Sequence, residues 1–376
     1  MCIIVIDALD ECIDDQPASA ILSVLGQFVK ELPLAKFFIT GRPEPRIRSG
    51  FRLHLPGPLT QIFLLHEVKS TDVNKDIRLY LTQRLNAIAQ RRSDVDLPNP
   101  WPSEKDIDAL TTKSSGLFIF AATIVRFVQS DHHEPSERLK LILSETSGTD
   151  HEGRTGIDAL YTQILDHAFS GVPESEVFTN VTRLLGSIVL AFNPLSRREL
   201  ATILGTSASL ILAALRHLHS VILVPAGETE KIRIFHKSFP DFLQDRGRCT
   251  DHRFHIDSRV YHGKMALACM ELVKKIKPNP CSIPPLTMNQ DVRNLSELME
   301  NKLGGGVRYA CSHWAKHLNL SRFGDDQVVD TTLTTAVLRN VAPWIEVMSL
   351  ENRLGEAIHS MKSFLHSLDN VSHFTR

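Results

Sequence analysis

The sequence predicts a mostly helical protein that begins with a short segment of parallel α/β structure. Two apolar runs near the start, at 2–6 and 36–40, are separated by a helical pattern, the order expected for parallel strands joined by a crossover helix. From residue 70 onward the apolar residues recur mainly at helical spacing, with one β-hairpin pattern near residue 225. Together these features predict an α/β start followed by several helical domains.

The first predicted strand, at 2–6, is an unbroken apolar run that ends in an acid, Asp7. A run of this kind is typical of a strand buried on both faces of a parallel sheet. Its carboxyl end is where open α/β sheets bind ligands. In phosphoryl-transfer enzymes an acid at this position holds Mg²⁺, and a following acid orients the attacking water. Asp10 and Glu11 are the acids that follow Asp7.

The rest of this first segment, residues 1–68, continues the α/β pattern. Apolar residues at helical spacing predict a helix at 18–32, and the run at 36–40 predicts a second buried strand. Gly41, Arg42 and Pro43 then end that strand. A third strand is predicted at 61–65, where an apolar run follows a loop rich in proline and glycine.

Residues 69–147 are predicted to form a helical domain. Thr71 or Asp72 is suited to cap its first helix, and Ser103 with Asp106 resembles a capping box before the second. The later helices are predicted at 107–113, 116–129 and 137–145. The stretch 147–156 is polar and lacks apolar periodicity, so we predict a domain boundary there.

Residues 157–248 show three helical patterns followed by a hairpin pattern. The helices are predicted at 181–190, 197–204 and 209–218, the second capped by Ser196. Strand-like runs at 221–224 and 231–235 flank a short turn. Three helices followed by a hairpin are the winged-helix pattern, so we predict a winged-helix domain here. Residues 255–376 are predicted to form a C-terminal helical domain, broken at 277–280, 284–285 and 304–306.

Composition excludes several classes of function. The 376 residues include 42 basic and 43 acidic side chains, so no net field attracts nucleic acid or anionic lipid. The six cysteines lie far apart without a Cys-x-x-Cys pair, which argues against disulfides and structural zinc. The longest apolar run, at 116–125, is too short to span a bilayer. We therefore expect a cytoplasmic protein that binds neither nucleic acid nor membrane.

Strings of residues along most of the chain carry one family likeness. They are the opening strand with its acids and the strings at 37–43, 115–122, 235–243, 310–318 and 344–350. Their order resembles that of fungal NACHT-domain proteins of the STAND class, a group of P-loop NTPases. The resemblance implies a nucleotide-binding α/β segment, a helical lid at 69–147, a winged helix and a further helical domain. In such proteins nucleotide exchange drives oligomerisation, and proposed roles include self/non-self recognition and programmed cell death.

The resemblance also implies a role for individual residues. Asp7 would be the Mg²⁺ ligand, and Asp10 and Glu11 would orient the hydrolytic water. Arg42 would read the γ-phosphate from the neighbouring strand end, where a cation offsets developing charge on the phosphoryl oxygens. His236 would match the winged-helix histidine that contacts the β-phosphate of bound ADP and holds the resting state.

The phosphate-binding loop of the family is absent from the sequence. No Gly-x-x-x-x-Gly-Lys-Ser/Thr string occurs in the 376 residues, so the backbone nest and lysine that cradle phosphate are missing. We expect that unit to belong upstream of the opening strand, and we expect the strand edge beside 3–6 to be uncovered.

The predicted function is therefore that of a truncated signalling core, a regulatory or scaffold module that works through protein partners or self-association. It needs no cofactor, binds nucleotide weakly or not at all, and does not hydrolyse ATP alone. One alternative is a functional ATP or GTP switch whose P-loop is encoded upstream or supplied in trans, in which case Mg-ATP or ADP would bind. A second alternative is a winged-helix nucleic-acid binder.

Structural interpretations compete with these roles. Without a phosphate cradle, we expect His236 to be a packed residue of the winged helix rather than a phosphate contact. His313 and His317 lie four apart on a predicted helix, which is the spacing of two metal ligands, but a third ligand is not evident. A second group with metal-like spacing comprises Cys249, His252 and His255. We predict no metal at either group.

Overall fold

The computed structural model describes residues 2–12, 15–55, 57, 60–92, 94–129, 133–144, 156–170, 176–321 and 327–374. The chain divides into two compact units, Met1–Val73 and Asn74–Arg376. It is mostly helical, with a small two-stranded parallel sheet near its start. The predicted fold class is confirmed at this level.

The sheet of the first unit has the predicted parallel arrangement. Strand β1 (Cys2–Ile6) pairs with strand β2 (Ala35–Ile39), so that the carboxyl ends of both strands meet at one edge. Helix α1 (Asp15–Phe28) makes the crossover that parallel neighbours require. Helix α2 (Pro45–His54) follows β2.

The core of this unit forms mainly between α1 and α2. Its buried members are Leu9, Ala18, Leu22, Ile47 and Leu55. A Cβ on Gly26 would lie 2.2 Å from the carbonyl oxygen of His54, so glycine at this position lets α1 approach the end of α2. Of the strand residues, Ile6 and Ile39 pack against this core. The core therefore meets the sheet at the carboxyl ends of the strands.

Two expectations for this segment are wrong. The third strand predicted at 61–65 does not form: Gln61–Leu64 has no regular structure, and a 3₁₀ turn occupies Leu65–Glu67. An apolar run supplies strand propensity but not the hydrogen-bonded neighbour that a strand needs. Nor is β1 buried on both faces, because Ile3 is 61% and Val5 is 62% exposed. Among the described residues β1 pairs with β2 alone, so the expectation of an uncovered edge holds.

The helices after the sheet agree closely with those predicted for residues 69–147. They are α3 (Ser70–Arg91), α4 (Glu104–Ser114), α5 (Phe118–Val128) and α6 (Pro135–Ser144). The capping box before α4 is confirmed, since the Ser103 hydroxyl accepts from the Asp106 amide and the Asp106 carboxylate accepts from the Ser103 amide. The boundary predicted at 147–156 lies outside the described residues, except for its last residue.

Three helices and a hairpin follow, in the predicted order. After α7 (Gly156–Ala168), the helices are α8 (Glu176–Leu190), α9 (Arg197–Leu204) and α10 (Ala208–Leu215), and the hairpin consists of β3 (Ile222–Leu223) and β4 (Arg233–Ile234). Ser196 and Glu199 form a capping box at the start of α9. The ammonium of Lys231, beside β4, lies 2.5 and 2.6 Å from the two carboxylate oxygens of Glu199. The hairpin is thereby tied to the helix.

The remaining helices are α11 (Ser238–Gln244), α12 (Ser258–Val273), α13 (Leu295–Lys302), α14 (Gly304–Asn319), α15 (Gln327–Leu350) and α16 (Leu354–Phe374). Of these helices, α12, α13, α15 and α16 pack against α14, and α11 packs against α7. Trp314 meets Trp344 and Phe364 edge to face, with ring centroids 5.6 and 5.7 Å apart. Gly304 provides the predicted break, but Gly306 lies within α14, where a Cβ would come 2.8 Å from the Thr202 side chain of α9.

Among the described residues no single helix combines the length and apolar composition needed to cross a membrane. The bent pair Arg197–Leu204 and Ala208–Leu218, with 109° between its two parts, meets those criteria when the two are taken together.

Candidate functional site

The candidate site is the edge of the first unit where β1 and β2 end. Asp7 follows β1 and Thr40 follows β2, and the parallel register brings them side by side. The Thr40 hydroxyl donates to the Asp7 carboxylate and accepts from the Ala8 amide at 2.9 Å. Ala8 has a left-handed backbone with φ of 53°, which turns the chain away from the strand. Asp7 is left exposed at this edge.

Asp10 occupies a different environment from Asp7. It is only 3% exposed, its Oδ1 accepts from the Arg42 amide at 3.0 Å, and its Oδ2 lies 3.7 Å from Arg42 Nε. The guanidinium of Arg46 donates to the Asp10 carbonyl oxygen at 2.8 Å. Asp10 therefore joins the turn after β1 to the segment after β2. A carboxylate held in this way is poorly placed to orient water, whereas Glu11 is exposed.

Arg42 lies where the resemblance places a phosphate-reading cation, at the end of β2. Its side chain is 39% exposed and makes its ion pair with the buried Asp10. A phosphate group would have to compete with that carboxylate for the guanidinium. Arg46 is similarly engaged, since its Nε donates to Glu44 at 3.0 Å. The cations at this edge are thus paired with carboxylates of the same unit.

The donor set at the strand ends fits Mg²⁺ in part. The carboxylate of Asp7 and the hydroxyl of Thr40 are oxygen ligands of the kind Mg²⁺ takes, together with several waters and substrate phosphates. Within the part of the chain that the structure describes, no group of three or more His, Cys, Asp or Glu side chains is arranged to hold a metal ion. Asp7 would hold the ion and Thr40 would orient the carboxylate, but phosphate oxygens would have to complete the coordination.

His236 is exposed and is not the packed residue we expected. Its Nδ1 accepts from the Ser238 amide at 3.1 Å and lies 2.7 Å from the Ser238 hydroxyl. The same hydroxyl is 2.7 Å from the hydroxyl of Tyr161, whose pKa is raised because the ring is buried. Because Nδ1 accepts the amide proton, this imidazole caps the first turn of α11.

The structure brings together a histidine cluster that sequence reasoning found only in part. The ring nitrogens of His313 and His317 contact different partners. His317 Nδ1 lies 2.8 Å from Nδ1 of His262, and its Nε2 lies 2.9 Å from the hydroxyl of Tyr309. Nε2 of His313 lies 2.9 Å from the side-chain nitrogen Nδ2 of Asn193. All three histidines are less than 9% exposed.

Burial keeps these imidazoles neutral. It lowers the pKa of His262 to about 4 and that of His313, next to Arg353 and Lys316, to about 4. The pKa of His317 falls to about 3, again mainly through burial and then through its two histidine neighbours. The Phe192 amide donates to the Tyr309 hydroxyl at 3.2 Å, so that Tyr309, His317 and His262 form one continuous chain of polar contacts.

A signal for His262 was present in the sequence. It lies on the same helical stripe as Met265, Ala266, Cys269 and Met270, all of which are buried. A histidine on an apolar stripe indicates a core position, but its partners on α14 are 55 residues away and only the tertiary structure joins them. In the other group with metal-like spacing, Cys249 is buried and its thiol contacts the Asp251 carbonyl oxygen.

No protein-family model matches the chain, and neither a curated protein nor a solved structure matches it. The resemblance to NACHT-domain proteins therefore stays a prediction from the sequence.

Proposed function

We propose that the chain is a regulatory or scaffold module of the NACHT/STAND signalling type that acts through protein contacts. The observation that carries this proposal is the exposed apolar surface of its parallel sheet. Ile3, Val5 and Phe38 are each about 60% exposed. Aliphatic and aromatic side chains clustered on a strand surface are characteristic of protein-binding sites. The outer edge of β1 also offers backbone donors and acceptors to a partner strand.

In this proposal the helical elements have the roles of the family. Helices α3 to α6 form the helical lid, and α8 to α10 with the hairpin form the winged helix. Two pieces of local structure support the second assignment, since the capping box of α9 and the contact of Glu199 with Lys231 hold helix and hairpin together. His236 then caps α11 at the end of this domain.

The charges at the strand ends support a role that does not depend on ATP hydrolysis. Asp10 is buried against Arg42, so neither side chain is free for phosphoryl transfer. No phosphate-binding glycine loop occurs in the sequence. What remains exposed at this edge is the carboxylate of Asp7, which repels phosphate unless a cation bridges the two.

Self-association of the full chain tests this proposal. It is measured by sedimentation velocity over a range of protein concentrations. The double variant Ile3→Thr, Val5→Thr keeps strand propensity but removes apolar surface, so it should associate less than the wild type. Leu210→Gln is the matched control, because Leu210 is 64% exposed on a helix of the second unit and should leave association unchanged. A monodisperse wild-type monomer with slow amide exchange across 3–6 would show the edge to be covered and would contradict the proposal.

A second candidate function, a nucleotide switch completed by a P-loop in trans, has one observation in its favour. Asp7, Thr40 and Arg42 lie at one edge, as Mg²⁺ and phosphate ligands would. Without the cradle we expect the chain to bind MgATP no better than about 1 mM, equivalent to roughly 4 kcal/mol. Calorimetry measures this directly. Micromolar affinity, with turnover that is lost in Glu11→Gln, would favour the enzyme over the scaffold.

A further inference from the structure

Arg138, on α6 in the second unit, is a buried cation with an open hydrogen-bonding edge. The residue is 1% exposed, and its guanidinium lies 4.2 Å from the centre of the Phe127 ring. Nη1 donates to the Phe127 carbonyl oxygen at 2.9 Å. Nε and Nη2 have no hydrogen-bond partner among the described residues. Nη1 therefore has a hydrogen-bond acceptor, while Nε and Nη2 are buried without one.

The two unpartnered nitrogens form the side of the guanidinium that recognises oxyanions. The N–H bonds of Nε and Nη2 point in parallel, and their spacing matches two oxygens of one carboxylate or phosphate. A buried charge without a counter-ion is strongly unfavourable, and so is a buried donor without an acceptor. One bound oxyanion would remove both penalties.

Around Arg138 the described residues supply no compensating negative charge, and two neighbouring imidazoles are held neutral. Burial lowers the pKa of Arg138 to about 10, and among the described residues no carboxylate opposes that effect. Burial followed by the charge of Arg138 lowers the pKa of both His167 and His219, which places these imidazoles within its field.

We propose that Arg138 forms a buried site for a small oxyanion of the phosphate class, bound through Nε and Nη2. Inorganic phosphate presents two oxygens with the spacing of these two nitrogens. The site belongs to the second unit and is independent of the protein-contact role proposed above.

Thermal unfolding of the full chain at constant ionic strength and pH 7 tests the proposal, with phosphate titrated against chloride. A ligand that binds the folded state raises the melting temperature until the site saturates. We expect a saturable rise of several degrees in the wild type and none in Arg138→Met, which keeps the side-chain volume without the charge. Arg197→Met is the matched control. Arg197 is 4% exposed, but its Nη2 already donates to the Ala226 carbonyl oxygen, so the wild-type response should persist.

If Arg138→Met does not fold, the variant Arg138→Lys replaces it. Equilibrium dialysis with labelled phosphate then measures the affinity of this variant and of the wild type. Lysine keeps the charge but has no two-nitrogen fork, so affinity should fall at least tenfold. An unsaturable response in the wild type, or the same response in Arg138→Lys, would overturn the proposal. So would a wild type whose melting temperature does not respond to phosphate.

Discussion

Strand β1 exposes aliphatic side chains, whereas helix α14 buries histidines. Ile3 and Val5 of β1 are more than half exposed, and His313 and His317 of α14 are almost fully enclosed. The difference lies in what surrounds each element. Among the described residues β1 has one neighbouring strand, while α14 packs against α9, α12, α15 and α16. The number of elements that cover a residue, more than its polarity, decides its burial here.

Hydrogen bonds satisfy most of the buried histidine nitrogens, although Nδ1 of His313 has no partner among the described residues. Tyr309 and Asn193 contact ring nitrogens of His317 and His313, and His262 contacts His317 directly. A neutral imidazole with partners loses little on burial, but a protonated one loses its hydration. The two regions should therefore respond to different perturbations, β1 to changes of apolar surface and α14 to acid.

The largest expected effect is the loss of folding stability at acid pH. The folded pKa of each histidine lies below the ordinary 6.5, so the unfolded chain binds protons first as pH falls. Stability is then lost from about pH 6.5 down to the folded values near 4 and 3. With all three groups contributing, the loss approaches roughly 4 kcal/mol per pH unit, about 1.4 from each. Urea unfolding followed by circular dichroism at several pH values between 7 and 4 measures it.

Single variants sharpen the acid prediction. His262→Asn should reduce the dependence on pH by about a third, because one of the three buried imidazoles is gone. His359→Gln is the control, since His359 is exposed and should leave the acid response unaltered. If the wild type kept its stability between pH 6.5 and 4.5, the comparison between a polar buried cluster and an apolar exposed strand would fail.

The next largest expected effect is the difference in stability lost when a buried or an exposed aromatic residue is replaced by alanine. Trp344 is 2% exposed and donates from Nε1 to the Cys311 carbonyl oxygen at 2.9 Å, so Trp344→Ala should cost about 3–5 kcal/mol. Phe38 is 59% exposed, and Phe38→Ala should cost less than about 1 kcal/mol. Urea unfolding of both variants tests the contrast. Equal costs would mean that the surface of β2 is covered in solution.

The smallest effect is expected at His236. Its role as a cap predicts that His236→Ala loses about 1 kcal/mol, and that His236→Asn recovers part of it because the amide oxygen still accepts. Thermal unfolding with and without ADP distinguishes this role from the nucleotide contact implied by the family resemblance. An ADP-dependent shift present in the wild type and absent in His236→Ala would restore the nucleotide switch.

The sequence predicts an element well when the residues that define it lie close together along the chain. The capping boxes at Ser103 and Ser196 were visible because the residues that form them lie three positions apart. The run at 61–65 has the same apolar character as β1, yet it forms no strand, since pairing depends on a partner elsewhere in the chain. Strand identity is in this sense a tertiary property.

In the candidate site, too, the sequence predicts what depends on neighbouring residues but not what depends on distant contacts. That Asp7 would lie at a strand end followed from the apolar run before it. That Asp10 would be buried against Arg42 could not be predicted, because it depends on the left-handed turn at Ala8 and on contacts 32 residues away. The burial of Arg138 could not be predicted, since a lone arginine on an amphipathic helix is normally at the surface.

The Glu199 carboxylate belongs to the capping box of α9 and also pairs with Lys231 beside β4. This double role affects how the second unit unfolds locally. Burial would raise the pKa of Glu199, but hydrogen bonds from Lys231 and Ser196 outweigh burial and hold it below its usual value. The Ile232 amide also donates to Leu195, and the Arg198 amide donates to Glu228. Detaching the hairpin would thus leave the Glu199 carboxylate without its counter-ion and the Arg198 amide in the first turn of α9 without its acceptor, so the two elements should unfold locally as one cooperative foldon.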